Sequence, residues 1–294
     1  MYHVSFPGLG IENWEINRVA FSIGSFNVYW YGVVIATGLL LAVIYAYVNA
    51  DRFGVDRNKL FDCVIVGIIT SVIGARVYYI AFFSGDWSSF FDIRDGGIAI
   101  YGAIIGALIG GLTMAKIRKQ PFLPLLDVTM IGFLIGQALG RWGNFFNQEA
   151  FGYQTDSLFR MISENTVIDG KVVAVHPCFL YESVWCALGF VFLHIFNRKF
   201  QKYHGQIFYL YMVWYGFERM IVEGLRTDSL YLPFQVFGMD IRVSQALSAV
   251  LFVLGIILLI VNRKKDDGMR NYQPKKKTKS TEKKSTEKKS KAKG

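Results

Sequence analysis

The chain has 294 residues, 53% of them hydrophobic, with a mean hydropathy of +0.32 and a formal net charge of +10. Several apolar runs reach the roughly 20 residues needed to cross hydrocarbon, which makes this a polytopic membrane protein and excludes a soluble domain. The charge does not mark a nucleic-acid partner: residues 263–294 hold 14 Lys and Arg against four acids, so the remainder of the chain is neutral.

In chain order, apolar helices are predicted over 26–48, 60–82, 97–117, 122–145, 176–196, 205–224 and 243–261. The expected fold is therefore an all-α integral membrane protein with seven transmembrane helices. Its domains are a membrane body over 1–262 and a tail over 263–294. That tail, ending KKKTKSTEKKSTEKKSKAKG, has almost nothing to bury and should be a disordered, basic cytoplasmic extension facing anionic lipid.

Putting the tail inside fixes every other loop. The inner loops then carry Arg52, Arg57, Lys59, Lys116, Arg118, Lys119, Arg198, Lys199 and Lys202. The outer segments carry only Arg18, Arg94, Arg160, Lys171, Arg226 and Arg242. This bias sets the N-terminus outside and the C-terminus inside. The longer outer segments, about 83–96, 147–175 and 225–242, are expected to form a small extracytoplasmic cap. The first twenty residues lack the regions of a cleavable signal, so the first span is expected to be its own insertion signal. Cys63, Cys178 and Cys186 have neither a disulfide framework nor metal-ligand spacing, and read as core residues.

Arg76, Arg141 and Arg219 fall inside these spans. A permanently charged group at bilayer depth costs at least ~2.5 kcal/mol, so such residues mark function. In the assigned topology Arg76, Tyr101, Arg141, Asn144, His176, Tyr181, Glu182, Tyr215, Arg219 and Glu223 all reach the outer level. Tyr215, Arg219, Glu223 and Arg226 share one helical face, within about 80° of arc. Its bland reading is an internal ion-pair ladder. Glycines at 102, 106 and 110 and at 132, 136 and 140 suggest that the third and fourth spans pack face to face, bringing Tyr101 near Arg141. No metal-site spacing is present. Guanidiniums with tyrosines, amides and carboxylates at headgroup depth suit a phosphate, most simply that of a phospholipid.

The run Gly140-Arg141-Trp142-Gly143-Asn144-Phe145-Phe146-Asn147-Gln148-Glu149-Ala150-Phe151-Gly152 resembles the G-R-x-G-N-F-x-N-x-E-x-x-G signature of bacterial prolipoprotein diacylglyceryl transferases at every fixed position. Trp30-Tyr31-Gly32, Gly74-Ala75-Arg76, His176-Pro177-Cys178-Phe179-Leu180-Tyr181-Glu182 and Tyr215-Gly216-x-x-Arg219-x-x-x-Glu223-x-x-Arg226 follow the family order, so the resemblance covers nearly the whole membrane body. One departure is Tyr101-Gly102, where many members have His-Gly.

The resemblance implies a bacterial cytoplasmic-membrane enzyme with its active site toward the outer leaflet. It would move the diacylglyceryl group of phosphatidylglycerol to the lipobox Cys thiol of a prolipoprotein signal peptide. The products would be a thioether and glycerol 1-phosphate, with no cofactor, no metal and no nucleic acid. The expected catalytic residues are Arg141 and Arg219, against the departing phosphate, and Tyr101 as proton relay. Tyr31, Arg76, Asn144, Asn147, Glu149, Gly152, His176, Glu182, Tyr215, Glu223 and Arg226 are expected to bind substrate. Gly152 is expected to permit a tight turn, and His176 and Glu182 are reserve bases. The rival reading is an anionic-lipid or solute transporter using the same Arg pocket, for which the sequence offers no internal repeat; a lipid-binding scaffold is the other.

Overall fold

The computed structural model describes residues 1–91, 97–232, 235 and 240–269. Arg94 and the basic run from 270 onward, with its expected disorder, lie outside the described residues. The chain is mostly helical, but its first 29 residues amend the all-α expectation. Strand β1 (Tyr2–Phe6) pairs antiparallel with β2 (Ile11–Ile16), and β3 (Val19–Ile23) with β4 (Phe26–Tyr29). Alternation explains β1: Val4 and Phe6 are buried while Ser5 between them and His3 before them are not. Gly24, at φ +60°, closes the second hairpin in a two-residue turn that sets Ile23 opposite Phe26. Residues 26–29 are thus held in a strand, and the first helix begins at Trp30 rather than at residue 26.

Helix α1 (Trp30–Asn49) is followed by α2 (Arg57–Tyr79), whose first turn is capped by Asp56 accepting from the Asn58 and Lys59 amides at 2.9 and 3.2 Å. Next come α3 (Ile100–Ile117) and α4 (Phe122–Asn147), then the short strands β5 (Ile162–Ser163), β6 (Val167–Ile168) and β7 (Lys171–Val172). Helices α5 (Cys178–Lys199), α6 (Gln206–Leu225) and α7 (Val243–Val261) complete the described elements. Six helices, all but α6, are long and apolar enough to cross a membrane. Their outward residues are bare and apolar, as Ile69, Ile109 and Val250 are, which suits contact with lipid. Helix α6 falls short because Glu218, Arg219 and Glu223 crowd its second half.

Glycine contacts correct one expectation. The stripes on α3 and α4 do not face each other: α3 packs along α2 and α4 along α1. A Cβ on Gly106 would stand 2.1 Å from the Thr70 carbonyl oxygen of α2, and one on Gly132 2.6 Å from that of Ala42 on α1. Gly140 meets nothing within 4 Å. Each stripe therefore lets its own neighbour approach closely, and neither carries Tyr101 to Arg141.

At one end of the bundle β1 also pairs with β5, and Val4, Phe6 and Ile16 form a small core with Met161, Val175, Phe145 of α4 and Phe179 of α5. The strands are thereby fixed over the ends of the two helices that carry Arg141 and Glu182. At the other end Asp127 of α4, fully buried, accepts from the Gly205 and Phe208 amides at 2.6 and 2.9 Å and from Gln201 at 2.9 Å. A carboxylate on α4 thus caps the start of α6, whose first-turn amides lack intrahelical partners. Cys63, Cys178 and Cys186 are buried and free.

Candidate active site

Three helices contribute to one buried ionic cluster. Glu182, in the second turn of α5 and 1% exposed, lies between two guanidiniums: its Oε2 is 2.6 Å from Arg141 Nε on α4, and its Oε1 contacts Arg219 Nη1 on α6. Arg219 Nη2 is also 2.7 Å from Oε2 of Glu223, one turn along α6. The α4–α5 approach is locked beside the cluster, where Trp142 Nε1 donates to Ser183 Oγ at 3.1 Å and that hydroxyl donates to the Ala138 carbonyl at 2.9 Å. Helices α5 and α6 are clasped by Trp185 and Trp214, stacked at 4.6 Å, each indole donating to the other residue's carbonyl at 3.1 Å.

The two guanidiniums differ. Arg219 is engaged on both sides, with 12% of its side chain exposed. Arg141 is 22% exposed and its terminal nitrogens make no hydrogen bond among the described residues, so that fork is available to an anion.

Around Arg141 the end of α4 forms a polar rim. Asn144 and Asn147 donate to Glu149 Oε1 at 3.1 and 3.3 Å. The chain turns there through Gln148 and Ala150, both in the left-handed region at φ 54° and 59°. The Tyr31 ring lies against Gly143, where a Cβ would come within 2.7 Å of it, and its phenol is in electrostatic range of Arg141 and Glu149. Tyr215 stacks on Tyr211 at 5.7 Å, and Tyr211 donates to Gln137 at 3.2 Å.

Other expected site residues make their bonds outside the ionic cluster. Gly152 does not make a tight turn. It pairs with Arg226 across a bridge, and a Cβ there would lie 2.8 Å from both His176 Cβ and the Leu225 carbonyl oxygen, so it permits a close crossing of chains. Arg226 does not extend the ladder to Glu223: its side chain pairs with Asp228 at 2.9 and 2.7 Å. Burial alone would raise Asp228, but the Arg226 hydrogen bonds and positive charge, with smaller contributions from its own backbone and Arg219, together hold that carboxyl below its ordinary value. His176 contacts the Tyr181 hydroxyl at 3.2 Å. Arg76 is buried and donates to the carbonyls of Ser89, Phe90 and Gly97, tying the segment before α3 to α2. Tyr101 exchanges a 3.0 Å hydrogen bond with Ser244 at the start of α7.

A family model for prolipoprotein diacylglyceryl transferase matches residues 18–261. The chain belongs to the prolipoprotein diacylglyceryl transferase family. The phosphatidylglycerol-prolipoprotein diacylglyceryl transferase of Bacillus mycoides (strain KBAB4) is 39% identical over 269 residues, covering 88% of this chain and 96% of that protein. The enzymes of the same name from Bacillus cereus (strain Q1) and Bacillus anthracis (strain A0248) match to the same extent. The chain is thus a transferase and, with its apolar helices, a multi-pass membrane protein.

Within the prolipoprotein diacylglyceryl transferase frame, sequence reasoning missed three groups in and around the cluster. Ser183 gave no signal, because a lone Ser in a span is uninformative. Asp228 is close to Arg226 in sequence but lies beyond the helical stripe. Glu218 was legible, as a carboxyl within an apolar span beside Arg219, and counting only the groups on the Arg219 face passed over it.

Proposed function

We propose that this protein transfers the diacylglyceryl group of phosphatidylglycerol to the lipobox Cys thiol of prolipoproteins, releasing glycerol 1-phosphate. The observation that carries the reading is the Glu182 bridge between Arg141 and Arg219, which holds two guanidiniums in a largely buried site while one keeps an unused fork. As the glyceryl C–O bond breaks, negative charge grows on the departing phosphate, and fixed cations in low dielectric stabilise that state more than the bound ester. Arg141 and Arg219 take this role. Glu182 and Glu223 hold them in position.

Tyr31, Asn144, Asn147 and Glu149 orient the headgroup glycerol and phosphate by hydrogen bonds, and Tyr215 walls the pocket beside Arg219. Arg76, Gly152, His176 and Arg226 build its rim from the segments they tie down. Tyr101, a relay in the sequence reading, stays in the proposal as a wall residue whose hydroxyl is engaged by Ser244. All seven helices cross the bacterial cytoplasmic membrane, N-terminus outside, with the β-strands as an extracytoplasmic cap and the site at outer-leaflet depth. The charge bias of the loops supports this orientation. Residues 1–262 act as one membrane domain, onto which the first tail residues, 263–269, fold back through the buried Met269, and the basic charge of the remaining tail suits attraction to anionic lipid.

Purified protein incubated with phosphatidylglycerol and a lipobox peptide is expected to form the diacylglyceryl thioether, read by mass spectrometry, together with glycerol 1-phosphate. Absence of thioether from folded protein refutes the reading.

A further inference from the structure

Glu218 is the one carboxyl of α6 that the cluster does not use. It is 5% exposed, yet its Oε1 is buried with no hydrogen-bond partner among the described residues. The charged and titratable groups facing it are Arg141 from α4, Glu182 and Cys186 from α5, and Tyr211, Tyr215 and Arg219 of its own helix. Arg141 and Arg219 are balanced in charge by Glu182 and Glu223, so Glu218 has no cation of its own. A buried acceptor left in this way is unsatisfied, and a proton donor brought by substrate would complete it.

Glu218 also lines an apolar groove of about 250 Å³ between α5 and α6, walled by Tyr181, Trp185, Phe217, Ile221 and Val222. Phe217 and Ile221 are exposed, so the groove opens at the side of the bundle, and Glu218 lines it with its carboxyl buried beneath the apolar wall, beside the Arg cluster. A lipid acyl chain would fill such a groove but offers Glu218 no donor. The precursor's signal segment is apolar, as a membrane-inserting segment must be, and carries a thiol S–H.

We infer that Glu218 accepts the thiol proton of the acceptor cysteine, and that the groove it lines seats the apolar signal segment bearing that cysteine. This rests on the proposed transferase reading. The S–H proton passes to Glu218 Oε1 as sulfur forms its bond to the glyceryl carbon. The C–O bond to phosphate breaks, and its electron pair leaves on the phosphate oxygen facing Arg141 and Arg219. Glu218 then returns the proton to the departing glycerol phosphate and is again a carboxylate. The thiol needs such help because, at a free pKa of ~8.5, little of it is ionised near neutrality.

The experiment measures thioether formation from phosphatidylglycerol and a lipobox peptide at pH 7 and pH 9. Glu218→Gln is expected to lower kcat about 100-fold or more at pH 7, the scale of a lost general base, with KM for phosphatidylglycerol unchanged. The deficit should shrink at pH 9, where the thiol ionises unaided; a purely structural defect would not recover with pH. Ile221→Trp, at an exposed groove wall, is expected to raise KM for the peptide about 10-fold and leave that for phosphatidylglycerol unmoved, and it decides the matter if Glu218→Gln does not fold. Full rate in Glu218→Gln, an equal deficit at both pH values, or an unchanged peptide KM in Ile221→Trp overturns this inference while the transferase reading stands. No thioether from the wild-type protein overturns both.

Discussion

Glu182 makes its closest approach to Arg141 at Nε, 2.6 Å away, on the stem side of the guanidinium. The carboxylate therefore anchors the stem of the guanidinium and leaves its outer edge free for a second anion. A bridge made through the terminal fork would have blocked the group it positions.

Removing that anchor leaves two guanidiniums facing each other in low dielectric. Glu182→Ala is expected to cost about 3–5 kcal/mol of stability, the penalty for stripping one partner from a buried ionic set, and to abolish thioether formation. Thermal unfolding in detergent checks the first and mass spectrometry the second. Arg141→Ala and Arg219→Ala should each lower product formation about 100- to 1,000-fold in protein that still folds. Arg141→Lys should recover little, since a point charge cannot replace the planar fork.

Tyr101→Phe deletes a hydroxyl whose partner is Ser244. Thioether formation is expected to fall less than about tenfold, because the neutral hydrogen bond it removes is worth roughly 1 kcal/mol. A loss approaching that of Arg219→Ala would return Tyr101 to the chemistry.

Among the glycines, contact geometry separates structure from coincidence. Gly106→Ala drives a methyl to 2.1 Å from the Thr70 carbonyl oxygen and should lower stability by about 1–3 kcal/mol as α2 and α3 part. Gly140→Ala, with open space around it, should not. Paired melting curves of the two variants decide this.

The β-cap carries its own pH dependence. His3 is raised above its ordinary 6.5 by the hydrogen bond its Nδ1 donates to the Glu164 carboxylate at 2.7 Å, and Glu164 is lowered from 4.5 by the same contact. A raised His stabilises below pH 6.5 and loses the effect as pH climbs through its folded value. A lowered Glu stabilises above pH 4.5 and loses it as pH falls through its folded value. The pairing of β1 with β5 should thus be firmest at about pH 5–6. Amide hydrogen exchange of β1 should show a protection maximum there, weakened by salt because both groups are exposed, and His3→Gln should flatten it.

The helices were legible because apolar runs of membrane length, and the charges between them, act at the level of the whole segment. The strands over 2–29 were not, since they hold few residues each and abut an apolar helix that overwhelms their alternation. At the site, Arg141, Arg219 and Glu223 could be read because charge inside an apolar helix is itself a signal. Which residue bridges them could not: Glu182 lies 41 positions from Arg141 and 37 from Arg219, and only the α4–α5–α6 packing brings the three together. The facing-glycine expectation failed for a similar reason, because spacing reveals that a helix has a flat side but not which neighbour lies against it.

Asp127 gives the cluster a mechanical reference. By capping α6 from within α4, it ties the root of the helix bearing Arg219 to the helix bearing Arg141, at the end of the bundle away from the chemistry. The two rods share a hinge pin and cannot slide lengthwise past each other. Admission of a lipid headgroup must therefore come from rotation of the guanidinium arms, or from a slight splaying of the far tips, with the depth of the two cations kept in register throughout.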